Sequence, residues 1–320
     1  MEAAAPRVAV YGHVDSDAYL LNQVFPHAQR IRVRVGESGD EVLQRLPDGI
    51  RWFVFHVNLT YSDRVPTGRA ALLASLRARG IEVLNGRVLD ISKTTVQRAC
   101  AGAGLGSTLA GRDGDPAQLV IVKTDCNCGG LSEVILKPAD REILDLAHQP
   151  TPAWTRDYPV LPRGDVPPET WDAGDFVVER FVSNRSNRFF RAYVVRDRLV
   201  VSRVVDPEPV KRMPAGIPRE DFFFTLEGPA AGRPVLVHAD ADDPPGDVAG
   251  DVARFCLSFG LDFGALDVVQ DDDGASYIVD VNTTPVWGKT GHRDILEFLA
   301  TGLRDAGGGG AALPLPGLAE

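Results

Sequence analysis

Through its first 90 residues the chain alternates short apolar runs with amphipathic stretches. Residues 7–11 read as an apolar strand ending at Gly12, and 30–35 as a strand alternating apolar with basic residues. Residues 52–57 form a nearly continuous apolar run, of the kind a parallel sheet buries on both faces. Residues 81–84 read as a fourth strand. Between them, 17–24 can form a helix, and 67–79 places Leu72, Leu73 and Leu76 on one stripe before Gly80 stops it. This rhythm predicts a small α/β domain with a parallel sheet over residues 1–89.

Beyond that point the pattern changes. Asp90-Ile91-Ser92-Lys93 opens a helix to about Gly102, with Asp90 or Ser92 as N-cap. Residues 118–124 are a strand, apolar except for Lys123, followed by the loop Asp125-Cys126-Asn127-Cys128-Gly129-Gly130. The chain is expected to return as a strand at 132–136. Residues 140–175 hold six prolines and little periodicity, which predicts an insertion with a brief helix at 143–147. Residues 176–181 read as a strand, 189–195 and 199–206 as a hairpin turned at 196–198, and 222–226 and 235–238 as further short strands. An amphipathic helix at 247–259 ends on Gly260. Residues 264–270 and 275–282 then form a hairpin around Asp271-Asp272-Asp273-Gly274, since Asp-Gly between β-branched runs is a strong hairpin signal. A last helix covers 293–304, and the Gly/Pro-rich tail is expected to be disordered. The expected division is 1–89, 90–178, 179–305 and a tail at 306–320.

Composition narrows the function classes. The 320 residues are 44% hydrophobic and 24% charged, ordinary for a globular protein. A net charge of -10 argues against a general nucleic-acid binder, which needs surplus Lys and Arg. Four scattered cysteines do not make a disulfide framework, and Cys126-Asn127-Cys128 lacks the second pair a zinc site needs. No signal peptide and no apolar run near 18 residues is present, so the expectation is a cytoplasmic protein with no membrane partner.

The chemistry concentrates in the acidic hairpin. Strand side chains alternate, so Asp280 and Asn282 share a face, and Asp267 on the antiparallel partner can join them. Two carboxylates and an amide oxygen suit Mg²⁺, which keeps its remaining positions for water and phosphate. A charged solvent face is the plain alternative; it fits poorly beside Val279 and Val281, with 271–273 already carrying charge in the turn. Lys93, in the first turn of its helix, runs against the helix dipole, and either solvent or an anionic ligand relieves that. Lys123 is costly to bury without an anion or carbonyl partner, and backbone N–H groups around Gly129 and Gly130 can cradle phosphate oxygens. His13, Asp15, His56 and Asn58 lie at strand C-terminal ends, where open α/β sheets bind ligands; each alone reads first as a loop or capping residue.

Asp267, followed thirteen positions on by Asp280-Val281-Asn282-Thr283-Thr284-Pro285, resembles the metal-binding signature of the ATP-grasp superfamily. That superfamily includes D-alanine–D-alanine ligase, glutathione synthetase and the glutamate ligase that tails a ribosomal protein. Its middle position is usually Glu, bridging two Mg²⁺ ions; here it is Asp280, one methylene shorter. The resemblance extends to Lys93 before Gly104-Leu105-Gly106, matching the first nucleotide-phosphate lysine. It also extends to Lys123 with Gly129 and Gly130, matching the α/β-phosphate lysine and the loop over the γ-phosphate. Residues 176–181 resemble the adenine hinge, which implies that Glu179 supports it and that the backbone of Arg180 and Phe181 pairs with the adenine edge. Residues 182–188 hold no carboxylate for the ribose. The run from Arg191 looks like the Asp-Ile-Arg strand pair of the glutamate-tailing ligases, which implies a catalytic role for Arg191 and, by the same pattern, Arg203.

What the resemblance implies is an ATP-grasp fold, α/β (α+β), with an N-terminal parallel-sheet domain and two lobes of antiparallel sheet clasping ATP. The implied activity is an ATP-dependent carboxylate–amine ligase working through an acyl-phosphate, with ATP and Mg²⁺ (or Mn²⁺) as cofactors. Small-molecule or peptide carboxylates and amines are the implied partners, and a homo-oligomer stays open. Two alternatives stand beside it: a phosphotransferase on a small molecule, and a nucleotide-binding protein without turnover. Acceptor contacts are expected from the first strand ends, 207–225 and 287–292.

Overall fold

The computed structural model describes residues 7–13, 16–146, 158–210, 218–227, 232–287 and 292–303. Asp15, most of the 143–147 to 157 stretch and the tail at 306–320 lie outside them. The first part of the chain runs β1 (Val8–Gly12), α1 (Leu20–Val24), β2 (Gln29–Arg32), α2 (Gly39–Gln44), β3 (Trp52–His56), α3 (Arg69–Ala78) and β4 (Glu82–Leu84). The strands form a parallel sheet in the order β2-β1-β3-β4. Every residue of β3 is buried, as its apolar run requires. Helix α2 has no counterpart in the hydrophobic pattern. Its signal is a capping box: the Ser38 Oγ accepts from the Glu41 N–H, and the Glu41 carboxylate accepts from the Ser38 N–H.

Next come α4 (Lys93–Gly102), β5 (Leu119–Thr124), α5 (Leu131–Val134), α6 (Pro138–Ile143), β6 (Val160–Pro162), α7 (Pro168–Asp172) and β7 (Phe176–Arg180). They contain a small antiparallel sheet, β6-β5-β7. The Pro-rich region therefore contributes a strand as well as loop, and its first helix starts earlier than expected, with Pro138 at its opening position. Strand β7 continues through Arg180, past the expected division at 178.

The remainder is β8 (Arg188–Val195), β9 (Arg198–Val205), β10 (Arg219–Glu227), β11 (Arg233–Ala239), α8 (Gly246–Phe259), β12 (Phe263–Gln270), β13 (Ser276–Asn282) and α9 (Arg293–Ala300). Its six strands form one antiparallel sheet in the order β11-β10-β9-β8-β12-β13. The expected plan, a parallel-sheet domain followed by two antiparallel sheets, is the one observed.

Both faces of the six-stranded sheet are covered. On one, Phe190, Ala192, Val194, Leu266 and Val268 pack against Val96 and Cys100 of α4 and Val248, Val252 and Phe255 of α8. Helix α4 thus shares the core of the large sheet, although it precedes the small one in sequence. The opposite face carries two separate apolar clusters. One joins Tyr193, Val195, Val200, Phe223 and Phe263 to Val8, Val10, Trp52 and Val54 of the parallel sheet and to Ile295 and Leu299 of α9. The other holds Phe189, Val204, Val269 and Tyr277. Asn85 locks the first of these contacts. Its amide donates to the Phe263 carbonyl (2.8 Å) and accepts from the Asp262 and Phe263 N–H groups (3.0 Å each). No helix among the described residues is long and apolar enough to cross a membrane.

Candidate active site

Between the two apolar clusters, strand register draws polar side chains into a row across the sheet. Asp280 on β13 pairs with Asp267 on β12, Asp267 with Arg191 on β8, Arg191 with Ser202 on β9, and Ser202 with Asp221 on β10. Directly opposed residues project to the same face, so all five point the same way. Arg191 donates to Asp267 Oδ1 at 3.0 Å, both side chains largely buried. Asp280 Oδ1 is buried with no hydrogen-bond partner. Asn282, two residues further along β13, accepts from the Thr284 N–H at 2.8 Å and retains acceptor capacity. Burial raises the Asp267 pKa to about 6; Arg191 opposes the rise and Asp280 adds to it.

The two lysines reach this acidic end from other elements. Ser92 caps α4, accepting from the Thr95 N–H, and so places Lys93 in the first turn. Lys93 is buried and donates to the Cys126 carbonyl at 2.7 Å. Burial works against its charge but is outweighed by Asp280, Tyr158, Glu179 and Asp125, and its pKa is raised. Lys123, projecting from β5, donates to Glu179 Oε2 at 2.8 Å and reaches the Val279 carbonyl at 3.5 Å, beside Asp280. Glu179 is fully buried and also accepts from Thr108 Oγ1 at 2.8 Å.

Cys128, Gly129 and Gly130 take positive φ of 49°, 69° and 80° in succession. That left-handed run, which the glycines tolerate and most residues do not, turns the chain into α5 where a returning strand at 132–136 was expected. The loop docks on the exit of β3: the Asn127 N–H donates to Thr60 Oγ1 (2.9 Å), and the Thr60 N–H donates to Glu133 Oε1 (2.6 Å). Gly129 and Gly130 therefore lie in a left-handed bend at the entry to α5, in the loop whose Cys126 carbonyl Lys93 holds, and not at the tip of a hairpin.

Two further expectations concern the hinge and Arg203, of which the second is corrected. At the hinge, the Arg180 N–H already donates to the Thr108 carbonyl (2.6 Å) and the Phe181 N–H to the Leu119 carbonyl (3.0 Å). Those two N–H groups are committed within the protein, while these hydrogen bonds leave the carbonyls of the same residues in place. The Arg180 guanidinium lies 4.8 Å from the Tyr277 ring centre. Arg203 is not in the row. Val195 pairs with Arg198 across a two-residue turn, so Arg203 opposes Phe190 and points to the other face. There it donates to Glu220 Oε2 (2.6 Å) and to the Asp243 carbonyl (3.0 Å). Ser202 and Asp221 occupy the positions in the row that sequence reading missed; only the register could have found them.

Among the strand ends of the first sheet, Asn58 reaches the site's surroundings, accepting from Thr284 Oγ1 at 3.0 Å. His56 is buried against Tyr19, and burial lowers its pKa to about 3. His13 is likewise lowered to about 4 by burial and then by Arg32.

Among the described residues no three His, Cys, Asp or Glu side chains group to hold a metal. Two carboxylates and an amide fit Mg²⁺ better than zinc, because Mg²⁺ takes few protein ligands and leaves the rest to phosphate and water. The unpartnered Asp280 Oδ1 is an atom such a cation would satisfy.

No family model matches the chain, and no curated protein matches it. Solved structures do. The ATP-grasp ligase PsnB, complexed with minimal precursor, is 16% identical with TM-score 0.47, covering 88% of this chain and 92% of its own. The L-amino acid ligase from Bacillus licheniformis is 9% identical with TM-score 0.49, covering 93% and 74%. The D-Ala:D-Ser ligase VanG from Enterococcus faecalis is 11% identical with TM-score 0.46, covering 93% and 98%. The chain is thus similar in structure to ATP-grasp ligases.

Proposed function

We propose that this chain is an ATP-dependent carboxylate–amine ligase of the ATP-grasp type. The observation that carries the reading is the meeting of the buried Lys93 and Lys123 with the largely buried Arg191, each from a different sheet or helix, around Asp267 and Asp280. Three cations and two carboxylates drawn out of water, one oxygen still unsatisfied, suit a polyanion brought with a cation.

Asp267, Asp280 and Asn282 would hold Mg²⁺, which when bound offsets charge on the nucleotide's phosphates. Lys93 and Lys123 would bind those phosphates. Arg191 would face the group being transferred. The adenine would meet the hinge backbone through the carbonyls of Arg180 and Phe181, whose N–H groups are taken. In the reaction a substrate carboxylate oxygen attacks the γ-phosphorus, the bond to the β-phosphate oxygen breaks, and ADP leaves. An amine nitrogen then attacks the acyl carbon, the carbon–oxygen bond to phosphate breaks, and phosphate leaves as the nitrogen sheds its proton. Fixed positive charge beside both leaving groups is the protein's contribution.

The test is ADP and phosphate release from Mg-ATP against a panel of amino acids, short peptides and other carboxylates with amines, the products identified by mass spectrometry. Amide product that vanishes in Lys123→Ala is the expected result. A phosphorylated product with no amide would replace the ligase with a phosphotransferase. Tight nucleotide binding with no product across the panel would favour a binding protein, and a gain of activity in Asp280→Glu would then locate the defect in the metal site.

A further inference from the structure

The polar row does not stop at Arg191. Its far end holds Asp221, 1% exposed, which accepts from Ser202 Oγ, and from Arg219 Nε at 3.1 Å. Arg219 lies two residues before Asp221 on β10 and so shares its face. Its guanidinium sits 5.2 Å from the ring centre of Trp287, and Trp287 packs edge-on to Tyr193 at 5.0 Å. Tyr193 in turn lies 5.7 Å from the Arg191 guanidinium. Arg219, Trp287 and Tyr193 therefore form one group adjoining Arg191, on the side away from both lysines.

Two donors in that group are unspent. Arg219 Nη2 and Trp287 Nε1 are buried and have no hydrogen-bond partner among the described residues. An arginine N–H and an indole N–H can only donate, so what satisfies them must accept. A buried donor without a partner costs free energy that a ligand removes. The neighbouring Asp221 carboxylate disfavours a doubly charged phosphate at this spot and tolerates a single negative charge. The Tyr193 and Trp287 rings, packed edge-on, give the spot an apolar surround.

We propose that Arg219 and Trp287 form a substrate subsite that binds a carboxylate which does not react: the free acid end of an amino acid or short peptide. That the bound group belongs to a substrate rests on the ligase reading above; that it is a carboxylate rests on the donors and on Asp221. Arg219 and Trp287 are then specificity residues, separate from those that handle phosphate.

The test reads the indole N–H signals in a proton–nitrogen NMR spectrum. The chain has four tryptophans, and Trp287→Phe assigns the one concerned. The full chain, without nucleotide, is titrated with L-amino acids and dipeptides as free acids and as matched C-terminal carboxamides. The expected result is a saturable shift of the Trp287 signal with at least one free acid and at least a tenfold weaker response to its carboxamide. Arg219→Gln should abolish that shift while the other three indole signals keep their positions. No shift with any free acid, equal shifts with the carboxamides, or a shift surviving in a folded Arg219→Gln chain would each overturn the proposal. The free-acid and carboxamide contrast in the unaltered protein decides it even where the variant does not fold. Because neither nucleotide nor turnover enters, the result stands apart from whether the ligase assay succeeds.

Discussion

Lys123 and Glu179 meet at 2.8 Å with 9% and 0% of their side chains exposed, so neither has water to replace the other as its partner. Removing one partner of such a pair typically costs about 3–5 kcal/mol, because the remaining charge is buried alone. Lys123→Met should lower the melting temperature by roughly 10 °C in calorimetry, on the usual scaling of about 2–4 °C per kcal/mol. The double variant Lys123→Met with Glu179→Gln should recover most of that loss and none of the ATP turnover, which separates the fold's use of the lysine from the reaction's. Asp267 gives a pH signature. Its pKa, raised by burial to about 6 from 3.8, means that the folded chain takes up a proton between those values. Its contribution to stability is therefore complete below about pH 3.8 and lost as the pH rises through 6. On the proposed reading, Mg²⁺ would compete for the same oxygen. Calorimetric titrations should show affinity for Mg²⁺ level above pH 7 and falling about tenfold per unit below pH 6. Asp267, Asp280 and both lysines were legible in the sequence because each is a charge interrupting an apolar run, and such an interruption needs a physical reason.

At the scale of elements, what sequence patterns missed is what depends on conformation rather than polarity. The segment after Gly130, Leu-Ser-Glu-Val-Ile-Leu, carries the composition of a strand, yet three successive left-handed residues aim it into α5. Gly129→Ala places a Cβ at φ 69°, at a cost of about 1–2 kcal/mol. It should raise the KM for ATP by several-fold while the melting temperature falls only slightly, a split that steady-state kinetics and calorimetry together resolve. Helix α2 was overlooked for the opposite reason: Ser38 and Glu41 spell a capping box, but too few apolar residues follow to draw attention. Arg203 failed on a count of one. A three-residue turn at 196–198 would put it opposite Arg191, whereas the two-residue turn puts Ser202 there.

For the whole molecule, the division near residue 89 was readable from the change in pattern, but not that the two sides share a core. Val8, Val10, Trp52 and Val54 cover the same sheet face whose other half carries the polar row. Asn85 joins them through backbone groups at 262 and 263. Asn85→Ala leaves those buried groups unpaired, at about 1–3 kcal/mol for each. It should lower the melting temperature by about 10 °C in one cooperative transition, since the parallel sheet and the large sheet have no separate cores at this contact. Two resolved transitions would show instead that the halves melt independently.

The row from Asp280 to Asp221 crosses five strands and takes one residue from each. The arrangement is therefore stored in how the strands pair and not in any contiguous stretch of the chain. Deleting one residue between Arg191 and the turn at 196 leaves every site residue in place as text, yet reverses which side of β8 Arg191 occupies relative to Asp267. Such a sequence would keep all the letters by which the site is recognised and lose the site.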